Sequence, residues 1–143
     1  ADNCAASGGK VDLPVKRYEI PLLVYAPANV RPGKVDRMMS QIDIAPTVLG
    51  LLNMSYRSQF FGRDVLKSGS APERAFISTY QKLGYLTGDR LLVMGPKRRL
   101  DSYVVTRADG SASEIKPREE DVADMLSYFQ GASSIYKNRL NRR

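Results

Sequence analysis

The sequence predicts an α/β chain: one strand–helix unit of a central sheet, then a small antiparallel sheet and a long C-terminal helix, an α+β arrangement when taken by itself. Three observations carry this. The run Ile20-Pro21-Leu22-Leu23-Val24-Tyr25-Ala26 is strand-sized and almost wholly apolar, as in a strand buried on both faces of a mostly parallel sheet. From Ala75 onward, short aromatic and β-branched runs alternate with tight-turn signals. Near the end, apolar residues recur at three and four positions, the period of a helix face.

Taken in order, residues 1–19 are polar, with Ser7-Gly8-Gly9 permitting unusual backbone angles. Pro21 suits the first positions of the strand that follows, where no ladder donor is needed. Asn29 to Asp36 form a loop around Pro32-Gly33. A helix follows, with Asp43 as N-cap, Pro46 in its first turn, Ile44, Val48, Leu51 and Leu52 on one face, and Asn53 as its stop. The antiparallel sheet is expected from Ala75–Tyr80, Leu83–Thr87, Arg90–Met94 and Ser102–Thr106. Gly88-Asp89 and Asp109-Gly110 supply its tight turns and Pro96-Lys97-Arg98-Arg99 a longer one. Pro117 and the acids Glu119, Glu120 and Asp121 open the last helix. Its stripe of Val122, Met125, Leu126, Phe129, Ala132, Tyr136 and Leu140 reads as core, and Gly131 as a close packing contact. Residues 1–70 therefore form the end of an α/β domain and 71–143 an antiparallel subdomain. A doubly buried strand with no neighbours elsewhere in the chain implies a larger parent protein.

Composition narrows the function. At 143 residues and 43% hydrophobic the chain is one ordinary folded domain. The longest apolar run, Ile20 to Ala28, falls well short of the roughly 20 residues that span a bilayer, and no secretory signal pattern stands at Ala1-Asp2-Asn3. The single cysteine, Cys4, rules out an internal disulfide and reads as a small buried side chain. Net charge is +7, with Lys137, Arg139, Arg142 and Arg143 concentrated at the end. Such a tail could meet nucleic acid or an anionic membrane surface, but with no aromatic interleaving or nucleic-acid motif beside it the reading is a solvated helix end. There is no histidine. General acid–base catalysis near neutrality most often uses one, which points to an incomplete catalytic apparatus.

The residues that could carry chemistry are few. Asp2 and Asn3 are adjacent oxygen donors suited to a hard cation, or else a polar turn. Lys10, after Gly8-Gly9, could meet an anionic ester or stand in solvent. Asp43 is accounted for by helix capping.

These residues also carry a resemblance. Asp2-Asn3, Gly9-Lys10 and Tyr18-Glu19-Ile20-Pro21-Leu22-Leu23-Val24-Tyr25-Ala26-Pro27 resemble the closing segment of the sulfatase family, in the alkaline phosphatase superfamily. The likeness continues through Pro32–Asp36, Ser40–Thr47 and Phe61–Leu66. Ser78–Tyr85 and Tyr128–Ser133 look like the lipoteichoic acid synthase, or phosphoglycerol transferase, branch. The resemblance implies that Asp2 and Asn3 are metal ligands and that Lys10 neutralises the substrate's anionic group. Asn3 stands where that branch has His. An oxygen replacing a nitrogen shifts preference from Mn²⁺ or Zn²⁺ toward Ca²⁺ or Mg²⁺.

The resemblance further implies a divalent metal (Ca²⁺ or Mg²⁺, with Mn²⁺ the third candidate) in the intact parent and none bound to this chain alone. The nucleophile and remaining ligands lie in N-terminal segments of such enzymes. Cys4 does not head the C-x-P-x-R signature of formylglycine conversion, and no catalytic residue is assigned here. The expected partners are the remainder of the parent enzyme and an envelope glycan or lipid substrate, at the periplasmic or extracellular face of the inner membrane. A dimer through the exposed edge of Ile20–Ala26 is also expected. A noncatalytic anion-binding module and a degenerate sulfatase-like domain are the alternatives.

Overall fold

The structure is a computed structural model that describes residues 13–138. Its centre is a five-stranded antiparallel meander of β1 (Arg74–Ser78), β2 (Leu83–Thr87), β3 (Arg90–Met94), β4 (Leu100–Val105) and β5 (Ala112–Ile115), paired in chain order. Helix α1 (Ile44–Leu51) precedes the sheet and helix α2 (Glu119–Lys137) follows it. β2 and β3 form the tightest hairpin, with Thr87 opposite Arg90. Gly88 takes the positive φ, 58°, that the first central position of a two-residue turn favours.

Alternation along the strands sorts side chains onto two faces. Ile77, Leu86, Leu91, Val93 and Val105 point to one face, where Leu13 and Val15 of the N-terminal arm cover them. Phe76, Tyr85, Leu92, Met94 and Leu100 point to the other, against Val122, Met125, Tyr128 and Phe129 of α2. Leu13 and Met125 are wholly buried, one on each side. Gly84 makes room for the arm: a Cβ there would sit 2.6 Å from the Ile77 side chain and 3.2 Å from that of Leu13.

Residues 37–73 wrap the open edge of β1. The Ser40 hydroxyl accepts the Phe76 N–H of the β1 edge (3.3 Å) and the Glu73 carboxylate accepts the Met38 N–H of the wrap (3.1 Å), so side chains tie the two together. Between Leu52 and Glu73 regular structure gives way to bonds between side chains and the backbone. Arg37 reaches Val65 O (3.0 Å) and Gly69 O (3.1 Å), Arg63 reaches Pro72 O, and Thr47 Oγ1 accepts the Val65 N–H (3.1 Å).

Several expectations change. Residues 20–26 join no ladder among the described residues, and Leu23 and Tyr25 are 88% and 85% exposed. A strand exists only through its neighbours, and the one sheet here is covered along β1 by the 38–40 segment instead. Asp43 makes no side-chain bond as N-cap of α1. It sits one turn earlier in function, closing the 3₁₀ turn Gln41–Asp43 by accepting the Ser40 N–H at 2.9 Å. The apolar stripe of α2 is core only as far as Phe129; Ala132 is exposed and Tyr136 is 76% exposed, while Leu140 lies outside the described residues. α2 lies chiefly over β2, with Asp121 bound to Arg90 of β3, Asp124 to Tyr85 of β2 and Phe129 packed near Phe76 and Met94. A 19-residue helix is about 28 Å long and a five-residue strand about 17 Å, so the last turns overhang the sheet. β5 was not anticipated, because Ser113 and Glu114 give it no apolar run. Gly131 does mark a close contact: a Cβ there would lie 3.3 Å from the Phe61 ring.

Candidate functional site

Asp2, Asn3 and Lys10, the three residues singled out for metal and substrate, lie outside the described residues, as does Cys4. Among the described residues no group of three or more His, Cys, Asp or Glu could hold a metal ion. The described chain begins where Leu13 enters the core, so the arm that follows the candidate residues is anchored on the sheet.

The most concentrated polar chemistry in the described residues is the Asp43–Arg74 cluster. Arg74, the first residue of β1, points to the α2 face and its guanidinium is 3% exposed; the Asp43 carboxylate is 1% exposed. The two form a bidentate pair, Nη1 to Oδ2 at 3.0 Å and Nη2 to Oδ1 at 3.1 Å. Arg74 also donates to Phe61 O (3.0 Å) and the Tyr128 hydroxyl (3.0 Å), and lies 5.1 Å from the ring centres of Phe76 and Tyr128. Asp43 accepts, besides, the N–H groups of Ser40 and Arg63, both at 2.9 Å. Burial works against the charge on each partner. For Asp43 the bonds from Arg74, Ser40 and Arg63 outweigh burial and hold the carboxyl below its ordinary range; for Arg74 the bonds from Asp43 and Tyr128 outweigh it and raise the guanidinium further.

The Asp43 carboxylate accepts four hydrogen bonds and Arg74 spends four of its five N–H groups on structure, so the cluster offers neither a free base nor a nucleophile. What it does is join three parts: the edge wrap, β1 and α2. Sequence reasoning found Asp43 but missed Arg74. The available signal was one cation heading the apolar run Arg74-Ala75-Phe76-Ile77, a residue the sheet would have to bury.

Two more contacts set α2. Arg90 binds Asp121 bidentately (2.9 and 3.0 Å), and the Tyr85 hydroxyl donates to Asp124 (3.4 Å). Burial, then the Asp124 charge, pushes the Tyr85 phenol up to about 12. Neither group faces a cleft as an activated catalyst.

The remaining feature is a surface. Of the fourteen exposed large hydrophobic side chains among the described residues, Tyr80 and Tyr136 stand apart and the other twelve fall between Leu22 and Leu66. Helix α1 contributes only Pro46 and Thr47 to the buried set and leaves Val48 and the adjoining Leu52 open. A crystal structure of a protein in the alkaline phosphatase superfamily from Vibrio parahaemolyticus matches this chain with a TM-score of 0.83 and 29% sequence identity, over 97% of this chain and 34% of that one. The chain has the fold of part of that superfamily protein. It spans about a third of its length. No protein-family model matches the sequence. The likeness covers the wrap, the meander and α2 alike.

Proposed function

We propose that this chain is the C-terminal part of a metal-dependent enzyme of the sulfatase and phosphoglycerol-transferase kind, closest to the lipoteichoic acid synthase branch, acting on sulfate or phosphate esters at the periplasmic or extracellular face of the inner membrane. The observation that carries the reading is the apolar face between Leu22 and Leu66. Single exposed hydrophobic side chains are ordinary, but twelve large ones concentrated in one stretch fit a surface that other protein covers. The likeness to one third of a larger superfamily protein supports the remainder of an α/β domain as the covering partner.

In this reading Asp2 and Asn3 contribute two oxygen donors to the metal, and Lys10 meets the anionic oxygens of the ester. Calcium takes about six to eight oxygens and magnesium about six, so these two residues fit a hard cation but fill only part of its sphere. The metal, when bound, activates the nucleophile and stabilises charge on the non-bridging oxygens. The chain's own part is to hold Asp2, Asn3 and Lys10 on an arm whose continuation, Leu13 and Val15, is buried against the sheet. Without the nucleophile and the other ligands the chain is inactive alone.

The test is reconstitution. The chain is co-expressed with the upstream part of its parent and assayed on nitrophenyl sulfate and nitrophenyl phosphodiesters, with and without chelator. The reading expects no turnover from the chain alone, chelator-sensitive turnover from the assembly, and a loss of about a hundredfold or more in Asp2→Ala, the scale seen when a group stabilising transition-state charge is removed. Turnover by the chain alone, or an assembly indifferent to both chelator and Asp2→Ala, would overturn it. An assembly that binds no Ca²⁺, Mg²⁺ or Mn²⁺ by calorimetry would instead mark a decayed site.

A further inference from the structure

The overhang of α2 and the tip of the β3–β4 hairpin enclose an open groove of about 760 Å³ that the proposed ester chemistry does not use. It lies on the α2 side of the sheet, opposite the face covered by the N-terminal arm. Met94 and Leu100 from the strands and Leu126 and Phe129 from the helix make its floor. Arg98 and Lys137 stand on its rim with the Ser133 and Ser134 hydroxyls.

The hairpin tip is built at a conformational cost. Gly95 N–H donates to Arg99 O (2.8 Å) to close it, and Lys97 and Arg98 both have positive φ, 56° and 62°. Two consecutive left-handed residues at a turn ordinarily call for Asn-Gly, not for two long cations. Strain retained in a loop is a pointer to function. Arg99 is tied to Asp101 at 3.0 Å, whereas Lys97, Arg98 and Lys137 have no carboxylate partner among the described residues. Two cations without a carboxylate partner among the described residues, Arg98 and Lys137, therefore line an apolar trough, and Lys97 adjoins them at the hairpin tip.

We propose that this groove docks an anionic amphiphile presented by a lipid surface, the headgroup on Arg98 and Lys137 with Lys97 adding positive charge from the adjoining hairpin tip, and the hydrocarbon on the floor. Charge complementarity selects an anion, and the apolar floor selects a lipid over a soluble polyanion, which has no use for Met94, Leu100, Leu126 and Phe129. Tyr136, exposed on the overhang seven residues after Phe129, is the kind of side chain that settles at a lipid–water boundary.

Flotation of the full chain with phosphatidylserine–phosphatidylcholine vesicles, against phosphatidylcholine alone, tests this. The wild type binds the anionic vesicles selectively. Lys97→Asn/Arg98→Gly removes two cations while relaxing the turn, so it binds about twenty-five-fold more weakly at about fivefold per charge, yet melts at a higher temperature than the wild type. That opposite movement separates lost binding from lost folding. Ser133→Trp fills the trough at an exposed position without changing charge and also weakens binding. Equal binding to neutral vesicles, or undiminished binding by either variant, would overturn the proposal. So would full competition by heparin with Ser133→Trp unaffected, which would assign the surface to soluble polyanions.

Discussion

At the scale of single residues the protein depends most on Asp43. Its carboxylate is buried and bonded by Arg74, Ser40 and Arg63, so removing it leaves a buried guanidinium and two orphaned N–H groups. Asp43→Ala is expected to cost about 3–5 kcal/mol in urea unfolding. Replacing both charges, Asp43→Leu/Arg74→Met, should recover only part of that loss, because the Ser40 and Arg63 N–H groups stay unpaired; full recovery would show that the pair alone matters. The pH dependence has a definite sign. The folded carboxyl titrates below its ordinary value of 3.8, so its contribution is intact above that value and is lost as pH falls through the folded pKa. Thermal melts should weaken on the acid side of about pH 4, and Asp43→Asn should show a flatter acid limb. Gly62 is constrained by space: a Cβ there would run into the Ile42 carbonyl of the wrap. Gly62→Ala should destabilise by about 2 kcal/mol or more, measured as a shift in urea midpoint.

At the scale of elements, α2 is set by its first turns. The Arg90–Asp121 fork clamps its N-terminus to β3 where Glu119, Glu120 and Asp121 also complement the helix dipole. Arg90→Ala should cost about 2 kcal/mol, with amide exchange accelerating first in residues 121–125. Beyond Phe129 the helix leaves the sheet, so its last two turns should exchange fastest whatever happens at Arg90.

At the scale of the molecule, the apolar face dominates. A chain that keeps residues such as Leu23 and Tyr25 in water has a strong tendency to bury them on another copy. Light scattering should show concentration-dependent association, reduced by Leu23→Lys/Tyr25→Lys; a monodisperse monomer at high concentration would count against this face as a contact surface.

What the sequence determined was whatever rests on local chemistry. β2 and β3 fall where the alternation and Gly88-Asp89 placed them, and α2 opens where Pro117 and its acids announced it. The apolar run at 20–26 formed no strand among the described residues, because a ladder requires a neighbour that local sequence cannot supply. Asp2, Asn3 and Lys10 were legible only as donor types, and they lie outside the described residues. Only the tertiary structure decided that Arg74 is buried, that Asp43 serves it as well as the turn before α1, and that α2 outruns the sheet. Each depends on residues 31 or more positions apart meeting in space, or on a helix and a strand having unequal lengths, and no local pattern encodes either.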